Sequence, residues 1–513
     1  MRKTTIASFI SRYKIYGICV IAVFILAFFL RAQESISGNY LFLIDQGRDM
    51  MAVKNIVFDH HLTLIGPYTS LQGIFQGPIW YYLLSIPVFL MSGNPVGTVY
   101  LMVIISMTVI FVSFFWVKKR FGIAAALFVA FLFAVSPEAI AASTYSWNPH
   151  PMWLLILLFI ISIFEVRQNK SFNILLWISV SLMFHFEMAL GAFFLLASVI
   201  YLLAFNRAVF KTKFFFIGVL IGSLFFIPQI SFDLRHNFLM ARSVMALFSG
   251  SNQGLLVVGE SNKYLNLVVG HYYAFYGNFK SSFISQGFFS YVPSILLSML
   301  IIVMAFSKKK KLIFKEEKQF LSITFKFVII IFMLSFLYPF PIRYWFLTGF
   351  QTFYLLFFGI ILSIFLRIKG GKLLVTVLIL FFSVYSFSRL NILYFNPPND
   401  GGTAKIKGKL SAVDYVYKDS RGKKFDLLVF TPPVYTDAYD YLIFWRVKTK
   451  YGYIPGHDKN GQFYLLMEPD YEKPWSYKGW LETVIKDGKV LSTVTLPSGI
   501  IIQKRIYEEQ AKK

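Results

Sequence analysis

A single cysteine, Cys19, occurs in 513 residues, so no disulfide can form within the chain, and compartment cannot be read from cysteine usage. Charge is scarce as well. Asp, Glu, Lys and Arg make up 15 % of the residues, where a soluble domain carries about 25 %. Acid is the scarcer sign, with 25 Asp and Glu against 50 Lys and Arg. The chain has no Gly-rich phosphate loop, no GxSxG, no CxxC and no HExxH. An NTP-driven pump or a soluble-type nucleotide-sugar enzyme is therefore unsupported. Ionisable residues are also nearly missing from the middle of the apolar runs, and Lys326 lies near the end of its run, where it can snorkel. An ion-coupled transporter normally buries such groups near the bilayer midplane, so this absence argues against one.

What remains is grease. Hydrophobic residues make up 57 % of the chain and aromatics 19 %, in repeated runs near 20 residues separated by short basic clusters. The formal charge of +25 suggests nucleic acid until the positive residues are located. They fall between apolar runs, in "VKKRFG" (117–122), "FEVRQNK" (164–170), "FNRAVFKTK" (205–213), "SKKKKLIFKEEK" (307–318) and "LRIKGGK" (366–372). That is the positive-inside pattern, which reports orientation and not a nucleic-acid partner. The basic start places the N-terminus in the cytoplasm. The run Tyr16–Leu30 lacks a small-residue cleavage site and is read as an uncleaved span.

Alternation then predicts about eleven spans, at 15–31, 95–117, 121–142, 151–165, 171–184, 187–205, 213–230, 286–306, 320–338, 345–367 and 372–389. Residues 32–94 form a long first outer loop, in which 44–58 is a candidate helix and "GPIWYYLLSIPVFL" (77–90) a short interfacial one. Residues 231–285 form a large outer loop. The expected fold class is a polytopic α-helical membrane protein with interfacial helices in that first loop, plus a small C-terminal extracytoplasmic α+β domain. Residues 1–394 are the membrane part. "NPPNDGG" (396–402) reads as a linker, and 395–513 as the outer domain. In that domain strands are expected at "FDLLVFTP", "YDYLIFWRV", "GQFYLLM", "KVLSTVTLP" and "GIIIQKRIY", and helices at 409–418 and 479–486. The location implied is a plasma membrane crossed many times, with the C-terminal domain outside.

The informative charges lie at the outer ends of the spans. In "DQGRDMM" (45–51) a helix puts Asp45 and Asp49 on one face at i, i+4, with Arg48 beside them. A helix cap with a local ion pair is one reading. A carboxylate facing a cavity, able to take a proton from an acceptor hydroxyl or amine, is the other. "PFPIRYWFL" (339–347) puts Arg343, Tyr344 and Trp345 at the outer entry of a late span, as interface anchors or as a phosphate clamp. "MFHFEMALG" (183–191) breaks an apolar stretch with His185 and Glu187, either a simple turn or a pair facing the site. "STYSWNPHP" (143–151) offers Trp147, Asn148 and His150, residue types suited to sugar faces and hydroxyls. No metal-ligand spacing emerges, and whether a divalent metal takes part stays open.

These motifs, in this order, resemble the GT-C class of integral-membrane glycosyltransferases, in the branch of protein O-mannosyltransferases and lipid A aminoarabinose transferases. The likeness covers about 1–390. It rests on "DQGRDMM", on "LTLIGPYTS" (62–70) with "FQGPIWYYL" (75–83), and on "RYWFL" (343–347). It implies Asp45 as catalytic base and contact of Arg343, Tyr344 and Arg48 with the donor phosphate. It leaves Asp49, Trp147, Asn148, His150, His185 and Glu187 as acceptor or sugar candidates. The partners implied are a polyprenyl-phosphate-linked sugar, a glycan, lipid or protein acceptor, and membrane lipid. The sequence departs from the family where a second acid often follows the first, since Gln46 stands there, and where a lysine holds phosphate, since Gln76 and Gly77 stand there. Two readings compete: a flippase for lipid-linked saccharide, and a non-catalytic scaffold whose outer domain binds partners.

Overall fold

The structure is a computed structural model that describes residues 6–249, 263–283, 292–306, 312–395, 402–459, 461–470 and 472–507. Each of the eleven expected spans contains a helix. In chain order they are α1 (Ile6–Ser37), α2 (Ile44–Val57), α3 (Ile79–Leu90), α4 (Val96–Phe121), α5 (Ile123–Val135), α6 (Pro137–Ala141) and α7 (Met152–Glu165). There follow α8 (Phe172–Met183), α9 (Met188–Phe205), α10 (Lys213–Leu224), α11 (Ile227–Arg235), α12 (Leu239–Ser249) and α13 (Lys263–Ser281). The last of the membrane part are α14 (Val292–Phe306), α15 (Lys315–Ser335), α16 (Gln351–Phe365) and α17 (Gly371–Tyr394). Among the described residues, five helices are long and apolar enough to cross a bilayer, within α1 and in α4, α9, α15 and α17. The pair α10 and α11, bent by 47°, makes a sixth if it is one span. α5, α7, α8 and α16 are apolar but shorter. The segment 231–285, expected as an outer loop, contains α12 and α13. The linker at 396–401, the basic run 307–311 and residues 250–262 and 284–291 lie outside the described residues.

Two ends of this bundle differ in chemistry. At one end Arg120 at the close of α4 pairs with Glu165 at the close of α7, which also accepts from Trp116 Nε1 at 2.8 Å. Arg367, just after α16, pairs with Glu317 in the first turn of α15 at 2.7 Å. Trp116 and Phe320 bring these two pairs together, with ring centroids 5.7 Å apart. The ends of α4, α7, α15 and α16 that border basic stretches of the sequence thus meet at one end of the bundle. The outer-loop motifs gather at the other end.

α1 runs six residues beyond the expected end of its span, and Arg31 is no flanking charge. It is fully buried and donates to Ser106 Oγ at 2.8 Å and to the carbonyls of Phe133 and Ala134 at 2.7 and 2.9 Å. The cause lies in α5. Pro137 follows its end, so the carbonyls of its last turn find no backbone donor, and a planar guanidinium supplies several at once.

The C-terminal part is built from α18 (Ile406–Asp419), β1 (Asp426–Phe430), α19 (Asp437–Arg446), β2 (Gln462–Met467), α20 (Ser476–Trp480), β3 (Lys489–Thr495) and β4 (Ile501–Ile506). The sheet order is β1-β2-β4-β3, with β1 parallel to β2 and the other pairs antiparallel. Four of the five expected strands form. The fifth, 439–447, is corrected: it folds as α19. Its Ala438, Tyr441 and Leu442 pack into the membrane-domain core, while Tyr439 and Ile443 pack into the core beneath the sheet. A helix wedged between two cores carries apolar residues on two faces, and its aromatic and β-branched residues then imitate a buried strand.

α19 seats the domain on α2. A Cβ placed on Gly47 meets the Ala438 nitrogen at 2.3 Å, so the two helices touch backbone to backbone there. Tyr441 donates to Gly93 O at 2.7 Å, Lys405 pairs with Glu34 at 3.0 Å, and residues 40–42 exchange backbone hydrogen bonds with 404–406.

Candidate active site

α2 begins where its sequence permits. Gln46 Oε1 accepts from the Leu43 backbone nitrogen at 2.9 Å, capping one donor of the free first turn, and its Nε2 donates to Ser146 O at 2.9 Å. A glutamate there has no proton for that second bond when ionised. Gln46 therefore ties α2 to the 143–151 loop, and Asp45 in the first turn lies favourably in the helix dipole.

Around Asp45 lies a cavity of about 290 Å³. Its walls come from five separate stretches of chain: Asp45 and Arg48, Tyr68–Ser70 with Gln76, Trp147–Pro149, Glu187, and Tyr344–Phe346. The Asp45 side chain is 43 % exposed, with Oδ2 accepting from Trp147 Nε1 at 3.1 Å and Oδ1 from Arg48 Nη1 at 2.9 Å. Both donors fix its orientation, and each oxygen keeps a second lone-pair direction for an incoming proton. Trp147 is the hub. Its ring lies 6.3 Å from Tyr344 and 6.4 Å from Trp345, so the early acid and the late motif share one wall.

The other sequence candidates divide. Asp49 does not reach the cavity. It is fully buried, accepts from Arg48 Nε and Nη2 at 2.9 and 2.7 Å and from Trp80 Nε1 at 2.7 Å, and serves to hold Arg48. Burial pushes its carboxyl up from the ordinary range, against the pull of Arg48 and Trp80. Arg48, facing the Tyr68 ring at 5.1 Å, shares its charge between two carboxylates. Both carboxylates already hold its guanidinium, so Arg48 brings little free positive charge to a phosphate. Arg343 is exposed, its guanidinium 6.0 Å from the Trp345 ring centre, with no ion pair among the described residues. It lies beside the cavity rim, while Tyr344 lies on it.

Asn148 lines the cavity and is held by donation to Phe186 O at 2.8 Å. His150 lies behind, bonded to Tyr145 O at 3.0 Å, and its burial holds the imidazole pKa down to about 3. His185 is fully buried against Gly77 and the Phe226 ring, where burial holds it down to about 4. It is a packing residue, and Gly77 is needed because any Cβ there would strike it. Among the described residues, no three His, Cys, Asp or Glu side chains gather as a metal site.

Glu187 does line the cavity, from the turn between α8 and α9, and burial pushes its carboxyl from 4.5 up to about 8. It is mostly protonated at neutral pH and offers an O–H to the cavity. Folding thus favours the protonated form. That contribution is full below about 4.5 and is lost as pH rises through about 8, worth up to ~5 kcal/mol. The expected result is a wild-type melting temperature that falls from pH 5 to pH 8 more than that of Glu187→Gln, whose neutral amide does not titrate. Parallel curves for the two proteins would refute the assignment.

Sequence reasoning missed Tyr68, Thr69, Ser70 and Gln76 as wall residues. They sit on a tight loop closed by Gly66 N to Gln76 O at 2.8 Å and Gln76 N to Pro67 O at 2.9 Å. The Gly66–Gly77 contact that closes it leaves no room for a Cβ on Gly66. The motifs at 62–70 and 75–83 contain these residues and a pair of glycines flanks the loop, but neither signal says which side chains reach a cavity.

A larger cavity, about 560 Å³, lies on the other side of α2, between Met51, Lys54 and β1. It is mostly apolar and contains none of the sequence-predicted groups.

In its overall architecture the chain is similar to solved structures of a known protein, at the level of fold. In particular, the chain is similar to ArnT from Cupriavidus metallidurans in a structure bound to undecaprenyl phosphate, with a TM-score of 0.55 and 11 % identity over 96 % of this chain and 98 % of that one. The apo form of the same protein gives 0.54 and 12 % over the same shares. Identities this low speak for the fold alone. No family model and no curated protein matches the chain.

Proposed function

We propose that this chain is a membrane glycosyltransferase that moves a monosaccharide from a polyprenyl-phosphate donor to an acceptor at the extracytoplasmic face. The observation that carries the reading is the single cavity in which Asp45, Arg48, Trp147, Glu187 and Tyr344 meet at the end of the bundle away from the basic clusters. In the shared fold, ArnT binds undecaprenyl phosphate, which supports a lipid-linked donor here. Asp45 takes the proton from the acceptor hydroxyl or amine as that atom bonds to the anomeric carbon. The bond from anomeric carbon to phosphate oxygen breaks, and polyprenyl phosphate leaves with the electron pair. Arg343 and the Tyr344 hydroxyl stabilise the leaving phosphate at the lipid–water boundary, with Arg48 contributing less because Asp49 and Asp45 already hold it. Attack opposite the phosphate inverts the anomeric centre. The donor is already activated, so no nucleotide-binding domain is needed.

The test is a panel of radiolabelled polyprenyl-phosphate sugars given to the purified protein with candidate glycan, lipid and protein acceptors. Label leaving the lipid fraction for an acceptor supports transfer. Label crossing sealed vesicles with its phosphate bond intact assigns flipping and overturns it.

A further inference from the structure

β1 is an edge strand, paired with β2 alone. Along such a strand, residues that bond the neighbour alternate with residues whose N–H and C=O point away. Phe430 O accepts from Glu468 N at 3.0 Å, so Phe430 and Leu428 face β2, and Leu427 and Val429 face outward. Leu427 is satisfied there. Its nitrogen donates to Gly456 O at 2.9 Å, and Nδ1 of His457 lies 3.3 Å from its oxygen. That stretch pairs no further, its single bridge joining Asp426 and Gly456. The Val429 N–H and C=O find no partner among the described residues.

Along this outward edge runs the cavity of about 560 Å³. Leu427, Leu428 and Val429 all line it, although their side chains alternate between the two faces of the sheet. Leu427 and Val429 pack toward Ile443 of α19, and Leu428 and Phe430 toward Trp480 of α20. Ile443 and Phe444 form one wall of the cavity, and Trp480 and Val484 the other. The strand edge is therefore the floor of a trough between the covers of both faces. Ile454 and Val484, 68 % and 54 % exposed, put apolar side chains at its rim.

The other edge of the sheet is blunted. β3 is broken by a bulge between Val490 and Ser492 and begins with Lys489. β1 has no bulge and no charge from Leu427 to Phe430. A bare apolar edge of this kind is a template for another strand. A lipid tail filling the trough would leave the Val429 N–H and C=O dry and unbonded, and a sugar would lie against apolar walls. A peptide backbone satisfies both groups and suits both walls.

We propose that the trough takes one extended segment of another polypeptide, which adds a strand to β1 through Val429 and sets alternate apolar side chains against the two walls. The surface lies on the opposite side of α2 from the Asp45 cavity and does not depend on the transfer reading.

The experiment offers the purified full-length protein a panel of short capped peptides, with Val, Ile, Leu or Phe at every second position and Ser or Thr between. Each is paired with a copy N-methylated along its backbone, which keeps the side chains and loses the N–H groups. Binding is read by fluorescence polarisation, and hydrogen exchange of the stretch holding Val429 by mass spectrometry. At least one parent peptide is expected to bind and to slow exchange at Val429, with its N-methylated copy at least about 10-fold weaker. Val429→Pro removes only an outward N–H, so the β1–β2 ladder survives while binding falls about 10-fold. Ile454→Lys, at a side chain already exposed, weakens binding as much with an unchanged melting temperature. A panel with no binder overturns the proposal. So does an N-methylated copy that binds as its parent does, which marks an apolar cavity filled without strand pairing. Wild-type affinity in a folded Val429→Pro variant, or in Ile454→Lys, overturns it as well.

Discussion

Asp45→Asn is expected to lower transfer by about 10²- to 10⁴-fold, the usual contribution of a positioned general base. Asparagine keeps the size and one acceptor oxygen, so contact with Trp147 or Arg48 survives, but it cannot take a proton at neutral pH. Arg48 stays anchored by two bonds to Asp49. The side chain is nearly half exposed, so the effect on stability should remain within about 1 kcal/mol. The measurements are turnover with a lipid-linked sugar, the melting temperature, and the membrane-inserted yield. Loss of turnover with the other two unchanged identifies a chemical role. Turnover within about 3-fold of wild type would falsify the assignment, since no base with a share of ~10² could be lost so quietly.

Gly47→Ala is expected to have the second-largest effect, although it adds one methyl and touches no ligand. The new carbon would lie 2.3 Å from the Ala438 nitrogen, 2.6 Å from its Cα and 2.8 Å from the Asp437 carbonyl carbon, all backbone that no side-chain rotation can clear. α2 and α19 must part. Overpacking of this kind costs about 1–3 kcal/mol, and a shift near 1 Å in the helix bearing Asp45 can cost ~10²-fold in rate. The C-terminal domain should become easier to release by limited proteolysis, with transfer falling in parallel. Wild-type protease resistance and wild-type turnover together would show that the domain does not hold α2 in place.

Both predictions concern one short helix, and that helix was legible early. Acids and an arginine at 45–49 stand out because the chain around them is greasy. The same contrast exposed Trp147, Glu187 and Tyr344 at the ends of apolar runs. Burial was harder to see. Asp45 and Asp49 lie on one helix face with one chemistry, yet the first faces a cavity and the second is sealed under Trp80. Four residues of spacing cannot say which of two neighbours the next helix will cover.

Composition and periodicity alone determined that this chain is a helical membrane protein, which end of its bundle is basic, and where an acid-bearing helix follows the first span. Hydrophobic runs and turn residues act locally, so they can be read in one dimension. Tertiary structure decided the rest. It turned 439–447 into a helix by packing it between two cores. It drew Arg31 inward to serve carbonyls more than 100 residues away. It also left Asn278 Oδ1 and Gln351 Oε1 buried without a donor. Each of those outcomes depends on what a distant segment supplies or withholds, and no residue carries that information in its own neighbourhood.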